Sequence, residues 1–177
     1  MGNRGVLHNK QRQIVRDSQV RRWIACQLQF RDRHREIMQP GRWTELFFLD
    51  EATACAAGHR PCAECRHADY VRFRAAWPGP AASADEIDRA LHAERRLGAW
   101  QKRTFDADLA SLPDGAFVAL AAATAWLVQG PALLRWSPSG YTDRRPRPSG
   151  RVTVLTPPSI LEAFRNGYTA AVHPSAV

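Results

Sequence analysis

"FFLDEATACAAGHRPCAECR", residues 47–66, sets a run of small helix-forming residues between two phenylalanines and two cysteines three positions apart. Asp50 is an N-cap residue ahead of "EATACAA", and Gly58 stands where a two-turn helix would end in left-handed geometry. The stretch therefore predicts a short helix, a turn, and Cys62 and Cys65 side by side. In Cys-x-x-Cys both sulfurs point the same way and can chelate one tetrahedral zinc, and a helix starting at Cys65 favours the thiolate. One such pair is half a site. The remaining ligands are sought among Cys26, Cys55, His8, His34, His59 and His67, with Cys55, on the small helix, read as a buried thiol.

Upstream, "RRWIACQLQF" (21–30) alternates apolar and polar residues through Trp23, Ile24, Leu28 and Phe30, the pattern of a half-buried strand. "RDRHRE" (31–36) reads as its charged turn and "GRWTELFF" (41–48) as a second strand, together a hairpin. Downstream, "RHADYVRFRAAW" (66–77) spaces Tyr70, Phe73 and Trp77 by three and four, so a second helix has an aromatic, core-facing stripe. "PGPAASAD" (78–85) is a linker and a module boundary. "ADEIDRALHAERRLGAW" (84–100) is a helix with acids in its first turn and Arg95 and Arg96 in its last. "LPDGAFVAL", "TAWLVQG", "ALLRWSP" and "GRVTVL" read as short strands of an antiparallel sheet. "YTDRRPRPSGR" (141–151) is an arginine-bearing loop, and "TPPSILEAFRNGY" (156–168) a closing helix with prolines near its start and Gly167 past its end.

The fold expected is α+β: a zinc-stabilised hairpin and helix module (1–77), the linker (78–85), and a small β-rich domain with flanking helices (86–177). A chain of 177 residues with 45% hydrophobic residues supports one good core or two small joined ones. It has no apolar run near the roughly 20 residues that span a bilayer, and no signal-peptide pattern at its start, so the expected location is the cytoplasm and no membrane is expected as a partner. In a reducing compartment the four cysteines are expected as metal ligands or buried thiols. The formal net charge of +8 is uneven: residues 1–35 hold nine Lys or Arg against Asp17 and Asp32, and residues 75–177 hold eleven against nine acids. Arginine dominates, which suits bidentate contacts to phosphate, so nucleic acid is the partner the charge suggests.

Residues 44–67 resemble the Ada-type metal-binding domain: a phenylalanine strand at Phe47 and Phe48, a helix ending Ala56-Ala57-Gly58, and "RPCAEC". The resemblance implies DNA binding, and a zinc site completed by two upstream ligands, either two cysteines four apart or a histidine and a cysteine. Only Cys26 lies upstream here, and "GNRGVLH" is similar to the histidine version. The implied Zn2+ ligands are thus Cys62, Cys65, Cys26 and His8, with His59 next in line. A methyl-acceptor role is not implied, since the second upstream cysteine is missing. The leading expectation is a zinc-containing nucleic-acid-binding protein of DNA repair or processing, DNA ahead of RNA. Its phosphate contacts would be Arg21, Arg22, Arg33, Arg35, Arg42, Arg60, Arg66, Arg144 and Arg145, with Trp136 and Tyr141 placed to stack on bases.

Two other functions fit the same letters. "PCAEC" with the His-x-Glu at 92–94 is similar to the zinc deaminase signature, although in reversed order, so His92 and Glu94 are candidate catalytic residues of a hydrolytic enzyme acting on nucleic acid or nucleotides. A zinc-stabilised scaffold that binds another protein is the third expectation.

Overall fold

The computed structural model describes residues 1–31, 36–120 and 124–176. Within them the chain is α+β, with four α-helices and a six-stranded antiparallel sheet. The first half holds β1 (Gly2–Asn3), β2 (Ile24–Ala25), α1 (Glu51–Ala56), β3 (Arg60–Pro61) and α2 (His67–Ala76). The second begins with α3 (Ala84–Arg95), β4 (Arg96–Gly98), β5 (Gln101–Lys102) and β6 (Phe105–Asp108). It continues with β7 (Phe117–Leu120), β8 (Thr124–Gln129), β9 (Ala132–Ser137), β10 (Gly140–Pro146), β11 (Arg151–Val154) and α4 (Pro158–Arg165).

The large sheet has the order β10-β9-β8-β7-β11-β6. Strands β7 to β10 form a meander, and β11 returns beside β7 with β6 on its outer side. Strand β10 corrects the expected loop at 141–151. It pairs with β9 through a bulge between Tyr141 and Asp143, and its proline falls at the end of an edge strand, where a missing N–H costs nothing. The expected long helix at 84–100 ends at Arg95, and "RLGAW" turns into the β4–β5 pair because Gly98 and a left-handed Trp100 suit a turn rather than a helix. Ser83 and Glu86 start that helix with a reciprocal capping box.

The expected hairpin of 21–30 with 41–48 is also corrected. β2 pairs antiparallel with β1 and parallel with β3, so the small sheet runs β1-β2-β3. Residues 41–48 contribute a single bridge from Leu46 to Gly2. β1 takes the edge of β2 that the hairpin would have used. The charged turn expected at 31–36 lies mostly outside the described residues.

Helix α1 forms as read from the sequence: Asp50 accepts from the Thr53 N–H at 2.8 Å, and Gly58 follows at φ +83°. One apolar cluster joins Ala52 and Cys55 of α1, Phe73 of α2, Ile87 and Leu91 of α3, Val118 and Leu127 of the sheet, and Ile160 and Phe164 of α4. Residues on both sides of the 78–85 stretch thus share one core. Two adjacent acids reinforce that junction. Asp50 also accepts from the Tyr141 hydroxyl at 2.6 Å and the His173 N–H at 3.0 Å. Glu51 accepts from the Tyr168 hydroxyl at 2.6 Å and pairs with Arg66 at 2.7 Å.

Candidate metal centre

The parallel pairing of β2 with β3 sets Ala25 opposite Pro61, so the residues that follow, Cys26 and Cys62, emerge side by side. The Cys62 N–H donates to the Ala25 carbonyl at 3.0 Å and locks that register. The chain then turns once before α2, which returns Cys65 to the same spot; the Gln27 N–H points at its Sγ at 3.4 Å. The sulfur atoms of Cys26, Cys62 and Cys65 lie within 4.8 Å of one another. Tetrahedral thiolates around zinc at Zn–S of about 2.3 Å stand about 3.8 Å apart, so three convergent soft donors fit such an ion. They are the one such group among the described residues.

Electrostatics agree with that donor set. Cys62 is held down at about 5, first by the hydrogen bond from the Cys26 thiol and then by the backbone N–H groups of Cys65 and Glu64. Cys26 is correspondingly pushed up, and burial raises Cys65. Three adjacent sulfurs thus tolerate one negative charge by themselves. A divalent cation would let all three ionise, so metal binding would release protons. The cysteines open on a cavity of about 360 Å³ that also touches Phe30, Trp43, Phe47 and Glu64.

The expected fourth ligand is elsewhere. His8 is buried, with Nδ1 2.6 Å from the Thr44 hydroxyl and Nε2 3.2 Å from the Gln39 carbonyl. Both ring nitrogens are therefore occupied in tying residues 39–44 to the N-terminal segment. His59 is fully buried between Trp23 and Phe48, and its Nε2 accepts from Arg4 at 3.2 Å. Burial first, then the Arg4 and Arg95 charges, hold it well below the ordinary histidine range. Cys55 sits in the core of α1, as its position implied.

The other candidates separate by burial. Arg60 is interior, its Nε and Nη2 paired with both Asp88 oxygens at 2.9 and 2.7 Å, so it joins β3 to α3 and does not reach solvent. Arg66 is committed to Glu51 and Asp69, each at 2.7 Å. Arg21, Arg22, Arg42, Arg144 and Arg145 are exposed, and Arg145 lies 4.1 Å over the Trp126 ring. Arg33, Arg35 and His34 lie outside the described residues. Glu94 accepts from both the backbone N–H and the hydroxyl of Ser159, which ties α3 to the first turn of α4. His92 is two positions earlier on α3, and side chains at that spacing do not share a helix face. The structure does not bring the pair together as a catalytic unit. Tyr141 is buried against Asp50 rather than offered to a base.

Two structural arginines escaped the sequence reading because an arginine inside a protein carries no local signal. Arg95 is 2% exposed and donates to the carbonyls of Gly58 and Arg21. Its guanidinium and that of Arg4 lie 3.9 and 3.8 Å from the Trp23 ring centroid. Gly58 is obligatory for this arrangement, since a Cβ there would meet Arg95 Cδ at 2.5 Å. No family model, curated protein or solved structure matches the chain. Among the described residues no helix is long and apolar enough to cross a membrane.

Proposed function

We propose that this is a zinc-bearing nucleic-acid-binding protein, with DNA repair or processing as its setting. The observation that carries the reading is the convergence of Cys26, Cys62 and Cys65 from two distant segments, on a chain of net charge +8 whose motif at 44–67 resembles the Ada-type domain. The three thiolates would hold zinc, clamping β2 and β3 to the turn before α2. Arg21, Arg22, Arg42, Arg144 and Arg145 have free access to solvent and are the phosphate contacts of this reading. Arg60 and Arg66 are left out, because their charges are already paired inside the protein.

Binding of labelled single- and double-stranded DNA and of RNA, followed by anisotropy across a salt series, tests it. Neutralised phosphates release counterions, so affinity should fall steeply as salt rises. The double substitution Arg144→Ser with Arg145→Ser should flatten the log–log slope by about 1 to 2. Affinity for none of the three, or an affinity that ignores salt, overturns the reading.

A further inference from the structure

A second cavity, of about 450 Å³, lies away from the cysteines, between the N-terminal segment, the end of α1, the β4–β5 pair and the large sheet. Its walls are aromatic, from Trp23, Trp100, Phe117 and Trp136. Its charge is cationic. Arg4, Arg95 and Lys102 all line it, and among the described residues no carboxylate lies within ion-pair distance of any of the three. The acid on the described wall, Asp17, is already engaged by Arg96 at 3.2 Å and by the Trp100 N–H at 3.1 Å.

Among the described residues Arg95 Nε and Trp136 Nε1, on two of the lining residues, are buried without a hydrogen-bond partner. Burial depresses Arg4 and Arg95, with Asp17 and Asp88 respectively offsetting part of the shift. Arginine does not deprotonate in proteins, so both stay charged at this wall. Among the described residues Lys102 Nζ has only the Ala56 carbonyl, at 2.7 Å.

We propose that this cavity binds one nucleotide unit, its phosphate among Arg4, Arg95 and Lys102 and its base against the tryptophans. The volume is that of a small-molecule site, and a flat ring carrying an anion answers both the aromatic walls and the unpaired cations. The choice of a nucleotide among aromatic anions rests on the nucleic-acid reading above; the cationic, donor-rich pocket does not. A free mononucleotide and a unit of a single strand offer the same chemistry.

Titration with adenosine and cytidine 5′-monophosphate, read by quenching of tryptophan fluorescence, is the test. Single-site binding is expected, with adenosine and ribose 5-phosphate each about tenfold or more weaker, since each lacks half of the recognition. Lys102→Met and Trp100→Ala alter side chains at the exposed mouth, so the fold should survive, checked by unchanged thermal unfolding; each should weaken the nucleotide about tenfold. Displacement of the nucleotide by a short oligonucleotide identifies a strand as the source, and no displacement identifies a free nucleotide. No quenching by either nucleotide at millimolar concentration, or equal affinity in both variants, overturns the proposal. DNA binding retained by a protein that takes no mononucleotide removes the pocket and leaves the nucleic-acid reading standing. The reverse result removes that reading alone.

Discussion

Residues 1–50 and the large sheet are stabilised by different means. The sheet has strands of four to seven residues and an interior of Val118, Leu127, Val128 and Leu133, all fully buried, closed by Ile87 and Leu91 of α3 and Ile160 of α4. The front segment has strands of two residues, and among the described residues only Leu7, Trp23 and Ala25 are buried apolar side chains there. Ile14, Val15, Val20, Leu28, Ile37 and Phe47 all remain exposed. Apolar burial of about 25 cal/mol per Å² cannot hold such a segment, so polar clamps take over: the cysteine cluster, the Arg60–Asp88 pair, and Arg4 and Arg95 on Trp23. The difference shows that a basic segment with few buried apolar side chains can be ordered by a few directional contacts when a conventional core stands next to it.

The largest effect should come from removing the proposed metal clamp. Structural zinc contributes on the order of 10 kcal/mol of apparent folding energy in small modules. Cys62→Ser should therefore lose about one equivalent of zinc and strip hydrogen-exchange protection from residues 1–31 and 58–66, leaving β7 to β9 protected. Full protection of the front segment in a metal-free variant would break the comparison.

Next in size are two core substitutions that should act differently. Asp88→Ala strands the buried Arg60 charge and should cost about 3–5 kcal/mol. Leu127→Ala removes apolar volume from the sheet and should cost about 2–5 kcal/mol. Exchange measured residue by residue separates them, with Asp88→Ala loosening β2 and β3 first and Leu127→Ala lowering protection throughout. Identical exchange maps for the two would show that both regions unfold as one unit.

The smallest effect is a pH dependence confined to the front segment. Burial holds His59 far below its ordinary 6.5, so below that pH the unfolded chain takes up a proton the folded one refuses. Its contribution is complete above about pH 6.5 and is lost as pH falls, at about 1.4 kcal/mol per unit for one proton. His59→Gln, compared at fixed zinc, should lose that slope. Parallel stability profiles for the two proteins between pH 7 and 5 would remove His59 from the account.

Helix α1, its Asp50 cap, the Gly58 stop, the aromatic face of α2 and four strands of the sheet were legible because each depends on residues close in sequence. The Cys62 and Cys65 pair was legible for the same reason, and Cys26 through the family resemblance. Strand β10 was missed because arginines and prolines depress strand propensity, while an edge strand tolerates both. The 21–48 hairpin failed because nothing local shows that β1 claims the free edge of β2.

Local spacing in this sequence determined the helix starts and stops, the alternating strands and the two-sulfur half of the candidate metal site, since caps, turns and periodicity are short-range properties. Only the tertiary structure decided which arginines leave the surface. Arg60 and Arg95 read like any surface arginine until β3 and α3 pack and bury them, and Arg66 until α1 brings Glu51 to it. Convergence of Cys26 on the Cys62–Cys65 turn likewise needed the parallel β2–β3 register, which residues 36 positions apart cannot specify by themselves.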